Sequence, residues 1–317
     1  MTQGDLHALA LSSPRGLELE LNYHLPPGVS DAGERVAGWF TAAVDSLAGE
    51  FILEFPADGL PAAGLRDPAG GPFGPPDSRW CSLFVLAGSA GKRQSKSLRQ
   101  WTPRNWQQFL GKASDLSIEM SAKFSTLNSF GHSGEPSLTI SAHRHRKLKD
   151  WVSLSAVYVV GDMRSPALPG DVPALWRDFL YSYVEQWPPA FGYLADDSIA
   201  AGATRTPLEA RTQTFPTDTL PQTDSFLRGY SWITVTSAQV AERAGGIGAL
   251  QRTGAFARIA ELPTGGLVLQ ATPLMSEYGG SAVRRVFEAL RAVLPDQTPI
   301  PDPMIPFFKL IYESPRR

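Results

Sequence analysis

The sequence predicts an α+β fold in which antiparallel sheets pack with helices. Three observations predict it: apolar and polar residues alternate at strand spacing, apolar residues recur at helical spacing between those strands, and turn residues separate neighbouring strands. The chain has 317 residues, 43 % of them apolar, with 8 tryptophans and 16 phenylalanines. It is therefore long enough for one large domain or two ordinary domains with a substantial core.

The first half of the sequence contains most of the predicted strands. They cover residues 17–23, 51–55, 82–87, 116–124, 137–143 and 152–160. A helix is predicted from Ser30-Asp31 to Leu47, because Glu34 completes a capping signal and the apolar residues that follow face one way. A shorter helix is predicted over residues 103–110. We expect the last three strands to be neighbours in one antiparallel sheet.

A segment rich in proline and glycine, residues 165–170, separates the two halves. It predicts one α+β domain over residues 1–164 and a second over residues 165–317. The second domain opens with a helix over residues 173–187, which carries a wide apolar stripe and ends at a pair of prolines. A short strand, residues 191–195, follows the helix.

Residues 229–295 predict a complete α+β unit. A strand comes first, followed by a helix from Ser237 to about Leu250, two strands joined by a proline-glycine turn, and an amphipathic helix. An extended proline-rich tail then leads to an apolar segment, residues 307–312. We expect this segment to pack on the core, because free aromatic residues favour aggregation.

Both halves can be read as helix, strand, strand, helix, strand, strand. This order suggests two tandem pseudo-symmetric αββαββ units that arose by duplication. The alternative is a single α+β domain whose element order repeats by chance. Strand orders that differ between the halves would contradict the duplication.

Charge and cysteine content restrict the classes of partner and the compartment. A net charge of −2 gives no overall field that would hold nucleic acid or an anionic membrane, so neither is a predicted partner. Cys81 is the sole cysteine, which excludes an intrachain disulfide and a multi-thiolate zinc site. The apolar stretch at residues 6–11 lacks a basic flank and is too short to span a bilayer, so we expect a cytoplasmic protein.

Motifs for catalysis or cofactor binding are incomplete. The segment GSAGKR (88–93) lacks the first glycine and the hydroxyl residue of a phosphate-binding loop. The glycines at 245, 246 and 248 lack the dinucleotide-binding spacing, and close helix packing or a break in the helix explains them better. The segment GHSG (131–134) is one residue short of a nucleophile elbow. We therefore predict no catalytic residue, no cofactor and no enzyme activity.

Two histidines, His143 and His145, would share one face of a strand, as a metal pair requires. The arginines and lysines around them raise the cost of binding a cation, so we predict no metal site. This stretch is either a solvated hairpin end or a basic patch for an acidic partner.

Candidate partner-binding residues come from loops and strand ends. Trp80 and Trp101 stand beside arginines at predicted element boundaries, where exposed contact residues are expected. Asp196-Asp197 follows a strand, and it either caps the next segment or supplies half of a carboxylate metal site. The candidate set is Trp80, Trp101, Arg144, His145, Arg146, Asp196 and Asp197.

Five segments of the second half carry a resemblance to a known class. They are GYSWITV (229–235), AERAGG (241–246), TGAF (253–256), LPTGGLVLQAT (262–272) and VLP (293–295). Together they resemble bacterial immunity proteins of polymorphic and type VI secreted toxins, in particular the group encoded beside nuclease toxins of the restriction-endonuclease fold. The resemblance covers the last quarter to third of the chain, with weaker similarity in the helix over residues 173–187 and the strand after it.

The resemblance implies a non-enzymatic cytoplasmic protein that binds a cognate toxin, with a nuclease as one candidate, and blocks it. One property departs from expectation, because inhibitors that mimic nucleic acid are strongly acidic and this chain is close to neutral. Two alternatives remain open: a hydrolase that uses a histidine and a distant carboxylate, and a structural subunit of a secretion or phage-like particle. The family does not assign binding residues position by position.

Overall fold

The computed structural model describes residues 15–25, 31–52, 73–88, 94–113, 119–161, 171–196, 205–303 and 308–316. In these residues antiparallel strands pack with helices, which confirms the predicted α+β class. The chain divides into two compact units. The middle unit comprises residues 25–161, and the terminal unit comprises residues 1–24 together with 162–317. No helix in the described ranges has the length and apolar character needed to cross a membrane.

The elements up to residue 161 are β1 (Arg15–His24), α1 (Ala32–Leu47), α2 (Gly49–Ile52), β2 (Arg79–Ala87), β3 (Ser95–Gln100), α3 (Pro103–Ala113), β4 (Glu119–Leu127), β5 (Ser133–Arg144) and β6 (Trp151–Gly161). The later elements are α4 (Val172–Gln186), β7 (Phe191–Ala195), α5 (Pro207–Thr212), α6 (Pro216–Thr219), β8 (Ile233–Thr236), α7 (Ala238–Arg243), α8 (Gly246–Arg252), β9 (Arg258–Glu261), β10 (Leu267–Gln270) and α9 (Ser281–Leu290). Short 3₁₀ turns follow α6 and α9 and precede α9.

The middle unit is an antiparallel sheet with strand order β3-β2-β4-β5-β6. Its helices pack on one face, where apolar residues of the strands alternate inward. The ring of Phe51 in α2 lies 6.2 Å from that of Phe124 in β4 and 6.5 Å from that of Tyr158 in β6. Phe40 of α1 meets Phe109 of α3 edge to face, with ring centroids 4.8 Å apart. One face of the sheet is therefore the core.

The terminal unit is a second antiparallel arrangement, with strand order β1-β7-β8-β10-β9. Helix α4 contacts β1 and β7, and α9 buries Val286, Phe287 and Leu290. Trp232 is buried before β8, and its indole Nε1 donates to the carbonyl of Thr272 at 2.9 Å. The apolar periodicity of residues 229–295 thus forms this core.

The strand orders of the two units differ, so they are not superposable repeats and the predicted duplication is wrong. The repeated element order in the sequence said nothing about which strands pair. The predicted first half included residues 17–23, whereas β1 pairs with β7 of the terminal unit.

Three local predictions were also inaccurate or incomplete. Residues 51 and 52 end the helix α2, and residues 53–55 of the predicted strand lie outside the described residues. Strand β3 was not predicted, because SKSLRQ has little apolar content. The predicted helix after Ser237 breaks into α7 and α8 at Gly245, whose φ of 93° favours glycine. Of the two predicted explanations for those glycines, the structure shows the helix break.

The end of the chain packs on the terminal unit, as expected. Phe308 and Leu310 are buried, and the guanidinium of Arg211 lies 4.4 Å from the centre of the Phe308 ring. The backbone N–H of Ile311 donates to the Tyr230 hydroxyl at 2.8 Å. These contacts hold the last described residues, 308–316, as a docked segment rather than a strand.

Candidate functional site

A buried ionic network surrounds Arg228 in the terminal unit. Its Nε and Nη2 donate to the two carboxylate oxygens of Glu209 at 2.8 and 2.9 Å, and its Nη1 donates to Glu20 Oε1 at 2.8 Å. Nη1 also donates to Asn22 Oδ1. The side chain of Arg228 has 0 % exposure, and those of Glu20 and Glu209 have 1 % each. The charges are therefore removed from solvent but paired with good geometry.

Local sequence positions both carboxylates. Glu20 lies on β1, where polar residues alternate with leucines and both faces of the strand are buried. Glu209 lies in the first turn of α5 and forms a capping box with Thr206, whose hydroxyl accepts from the Glu209 N–H at 3.2 Å. Glu209 Oε2 accepts from the Thr206 N–H at 2.8 Å, and Thr219 also donates to this carboxylate. Arg228, which binds both Glu209 and Glu20, links helix α5 to β1.

Tyr193 of β7 extends the network. Its hydroxyl donates to Glu18 Oε1 at 3.1 Å and to Glu20 Oε2 at 3.4 Å. Burial raises the pKa of Tyr193 well above its ordinary value, and the neighbouring carboxylates Glu18 and Glu20 raise it further. Burial alone would lower the pKa of Arg228, but Glu209 and Glu20 outweigh it and the net pKa is raised. Because these groups are enclosed and bind one another, the network joins β1, β7 and α5 and offers no surface to a partner.

The middle unit has a very different polar surface. Because side chains alternate along a strand, the residues that do not face the helices project from the other side of the sheet, here called the open face. Hydroxyl side chains dominate it. Ser82 on β2, Ser121 on β4, Thr139 and Ser141 on β5, and Ser155 on β6 are partly exposed, whereas Ser125, Ser137 and Ser153 on the same side are buried. Phe84, Leu98 and Val157 add partly exposed apolar area. No described helix of the middle unit covers the rows around Ser121 and Thr139, which are partly exposed.

Lys123 stands near the centre of the open face. It is exposed, and the residues opposite it on the adjacent strands are Ser82 and Thr139. Ser121, two residues along β4, lies opposite Ser141, whose hydroxyl is 2.7 Å from that of Ser155. In the part of the chain that the structure describes, no carboxylate forms an ion pair with Lys123. A cation surrounded by hydroxyl groups is a favourable position for an incoming anion.

The turn between β5 and β6, residues 144–150, is the basic turn. Arg146, Lys147 and Lys149 are exposed there. Burial lowers the pKa of Arg144, and Asp150 opposes that shift. Lys96 lies at the same end of the sheet as the basic turn. Its Nζ is 5.6 Å from the centre of the Phe84 ring.

Two of the predicted contact residues are buried. Trp80 is only 2 % exposed because Phe73 stacks on it at 4.8 Å, so its predicted exposure is wrong. His145 is 5 % exposed and its Nε2 lies 2.9 Å from the Ser153 hydroxyl, so it is not a solvated histidine. Its ring meets that of His143 edge to face at 4.9 Å. Among the described residues, no group of three or more His, Cys, Asp and Glu side chains could hold a metal ion.

The remaining candidates do not form one site. Trp101 is partly exposed, and its N–H donates to the Cys81 carbonyl at 2.9 Å. It lies at the Trp80 end of the sheet, about 20 Å from the basic turn at ~3.3 Å per residue. Asp196 belongs to the terminal unit, where its carboxylate binds Lys309 Nζ at 2.6 Å and helps dock the end of the chain. Asp197 lies outside the described residues. Partner binding by Arg144 and Arg146 stays a prediction.

Sequence reasoning missed both polar clusters. A signal for the open face was present in the alternating hydroxyl residues of β4, β5 and β6. A signal for the buried network was present in Glu18, Glu20 and Asn22 at every second position of β1. Neither pattern reveals whether its face is covered, since that depends on residues distant in the chain.

Comparison with known proteins gives a likeness to a solved structure. No family model matches the chain, and no curated protein matches it. A solved structure described as a Pseudomonas aeruginosa T6SS protein is similar over 90 % of this chain and 81 % of that one, with a TM-score of 0.51 and 14 % sequence identity. At this identity, the likeness shows a shared fold.

Proposed function

We propose that this chain is a cytoplasmic immunity protein that neutralises a cognate secreted bacterial toxin by binding and occluding it. The observation that carries the proposal is the open face of the middle unit. This side of the sheet presents hydroxyl, apolar and cationic groups, and the helices that support the sheet pack on its other side. An inhibitor that acts by occlusion requires such a scaffold and a complementary patch rather than a reactive centre.

Two further observations support this function. The sequence segments within residues 229–295 resemble immunity proteins of type VI and polymorphic toxin systems. The structural neighbour is itself described as a T6SS protein, and it shares the fold over most of both chains. The two observations are independent, because one rests on local sequence and the other on the arrangement of strands and helices.

The open face supplies part of the area that a stable protein interface needs. Five strands about 4.8 Å apart, with about eight residues each at ~3.3 Å, give a surface of roughly 500 Å². A stable interface buries about 800 Å² on each partner. The open face alone is therefore too small, but the basic turn at its end can supply the remaining area.

Co-expression tests the function. The gene directly upstream should encode a toxin, and inducible expression of the carboxy-terminal domain of its product should stop bacterial growth. Co-expression of this chain should restore growth, and the two proteins should co-purify as a complex. Growth arrest by an unrelated toxin should persist, which controls for general protection. A neighbour that is not toxic, or toxicity that this chain does not relieve, would contradict the proposal.

A further inference from the structure

We infer that the open face and the basic turn together form the toxin-binding surface, with Lys123 as the central contact for a carboxylate of the toxin. This inference rests on the proposed function and adds to it the location and chemistry of the interface. It assigns an acidic protein surface as the occupant.

Charge supports an acidic occupant. The described residues of this surface carry Lys96, Lys123, Arg146, Lys147 and Lys149 as exposed cations. The chain as a whole has a net charge of −2, so this positive excess is local. A local field of one sign accelerates association with a surface of the opposite sign and excludes partners of the same sign.

The surroundings of Lys123 specify what the partner must provide. An ammonium group that becomes buried without a counter-charge destabilises a complex strongly. The strands on either side of Lys123 present Ser82 and Thr139 rather than a carboxylate, so the anion must come from the partner. The same hydroxyl groups can donate to that carboxylate, which makes the position selective for an acidic side chain.

The small side chains of the open face also favour close contact. Serine and threonine lose less rotamer entropy on burial than long polar side chains do, and their small size lets a partner approach the sheet closely. Phe84 and Val157, both partly exposed, can lose apolar area to the partner. The surface thus combines a central polar anchor with apolar surroundings, the composition common at protein interfaces.

Nucleic acid is a less suitable occupant. A phosphate backbone requires several cations along its path. On the open face, Glu119 lies opposite His143, in the row of residues that leads from Lys96 towards the basic turn. Its carboxylate would repel phosphates there, whereas an acidic protein can place its carboxylates elsewhere.

Affinity measurements on four purified proteins test the inference, with the carboxy-terminal domain of the upstream gene product as the probe. Lys123→Glu should weaken binding by about 100-fold or more, because it opposes a carboxylate with another carboxylate. Ser121→Tyr, which places a bulky ring on the open face, should weaken it by about 10-fold or more. Lys112→Glu makes the same charge change at an exposed position on α3, among the helices of the middle unit, and should stay within about threefold of the wild type.

The possible results distinguish an error in the assigned interface from an error in the proposed function. Wild-type binding with unchanged affinity for Lys123→Glu and Ser121→Tyr would overturn the interface and leave the proposed function standing. No wild-type binding would overturn the function itself. Circular dichroism and thermal unfolding would establish that the variants fold. Saturable binding of a fluorescein-labelled DNA duplex that depends on Lys123 would overturn the assignment of an acidic protein as occupant.

Discussion

Strands β1 and β4 both alternate polar and apolar residues, yet the polar face of β1 is buried whereas that of β4 is open to solvent around Ser121 and Lys123. On β1, Glu20 and Asn22 are buried at 1 % and 0 % exposure. On β4, Lys123 is exposed and Ser121 is partly exposed. The comparison teaches that alternation predicts a strand and one apolar face, but it does not predict what lies over the other face.

Distant residues decide the difference. Arg228 meets Glu20 across 208 positions in the chain, and the segment from Thr206 to Arg228 brings the counter-charge and hydrogen-bond donors that β1 needs. Burial of a carboxylate without such partners costs several kcal/mol, so β1 tolerates its acidic face because the network is complete. On the open face, small hydroxyl groups and a solvated lysine need no such cover.

Substitution of Arg228 should have the largest effect on stability. Arg228→Met keeps much of the side-chain volume but leaves Glu20 and Glu209 buried without their cation. We expect a loss of about 3–5 kcal/mol in the free energy of unfolding, measured by urea titration with tryptophan fluorescence.

An exposed ion pair of similar geometry provides the control. Arg284 binds both carboxylate oxygens of Glu313 at 2.6 and 2.8 Å on the surface of the terminal unit. Arg284→Met should leave the urea midpoint unchanged within error, since exposed pairs contribute little. Equal losses for the two variants would show that burial is not what distinguishes the network.

The pH dependence of stability sharpens the same comparison. The pKa of Tyr193 is higher in the folded chain than in the unfolded chain, because burial and the nearby carboxylates disfavour the phenolate. The contribution of Tyr193 to the free energy of unfolding is fully present below the tyrosine pKa of the unfolded chain, about 10, and is lost as pH rises above that value. Between pH 10 and 11.5 the wild type should therefore lose up to about 1.4 kcal/mol more per pH unit than Tyr193→Phe.

The measurement is urea unfolding of both proteins at a series of pH values. Tyr193→Phe should also be less stable at neutral pH by about 1–3 kcal/mol, since Glu18 and Glu20 lose a buried donor. If the free energy of unfolding falls equally with pH for the two proteins above pH 10, the raised pKa of Tyr193 would be contradicted.

Local sequence patterns were sufficient for much of the fold. The α+β class and strands such as β5 and β6 followed from apolar periodicity, as did the helices α1, α4 and α9. Strand β3 has no such pattern, because SKSLRQ lies at the edge of the sheet with exposed polar residues. Strand pairing depends on long-range contacts that periodicity does not encode. For this reason the repeated element order wrongly predicted a duplication.

The candidate site was predicted only in its basic turn. The run of cations in the sequence predicts contact residues at Arg144 and Arg146. The position of Lys123 among hydroxyl groups required the register of β2, β4 and β5, which sequence spacing does not supply. Trp80 was misjudged because Phe73, seven residues earlier, folds back over it.

Thiol protection tests most directly whether the open face is the toxin-binding surface. Cys81 is buried, and burial raises its thiol pKa, so the native cysteine should react slowly with maleimide. A Ser121→Cys variant should react readily when free and about 10-fold or more slowly when saturated with a toxin domain whose own cysteines are blocked. Lys112→Cys, on α3, should react equally in both states. An unchanged labelling rate for Ser121→Cys in the saturated complex would contradict the account.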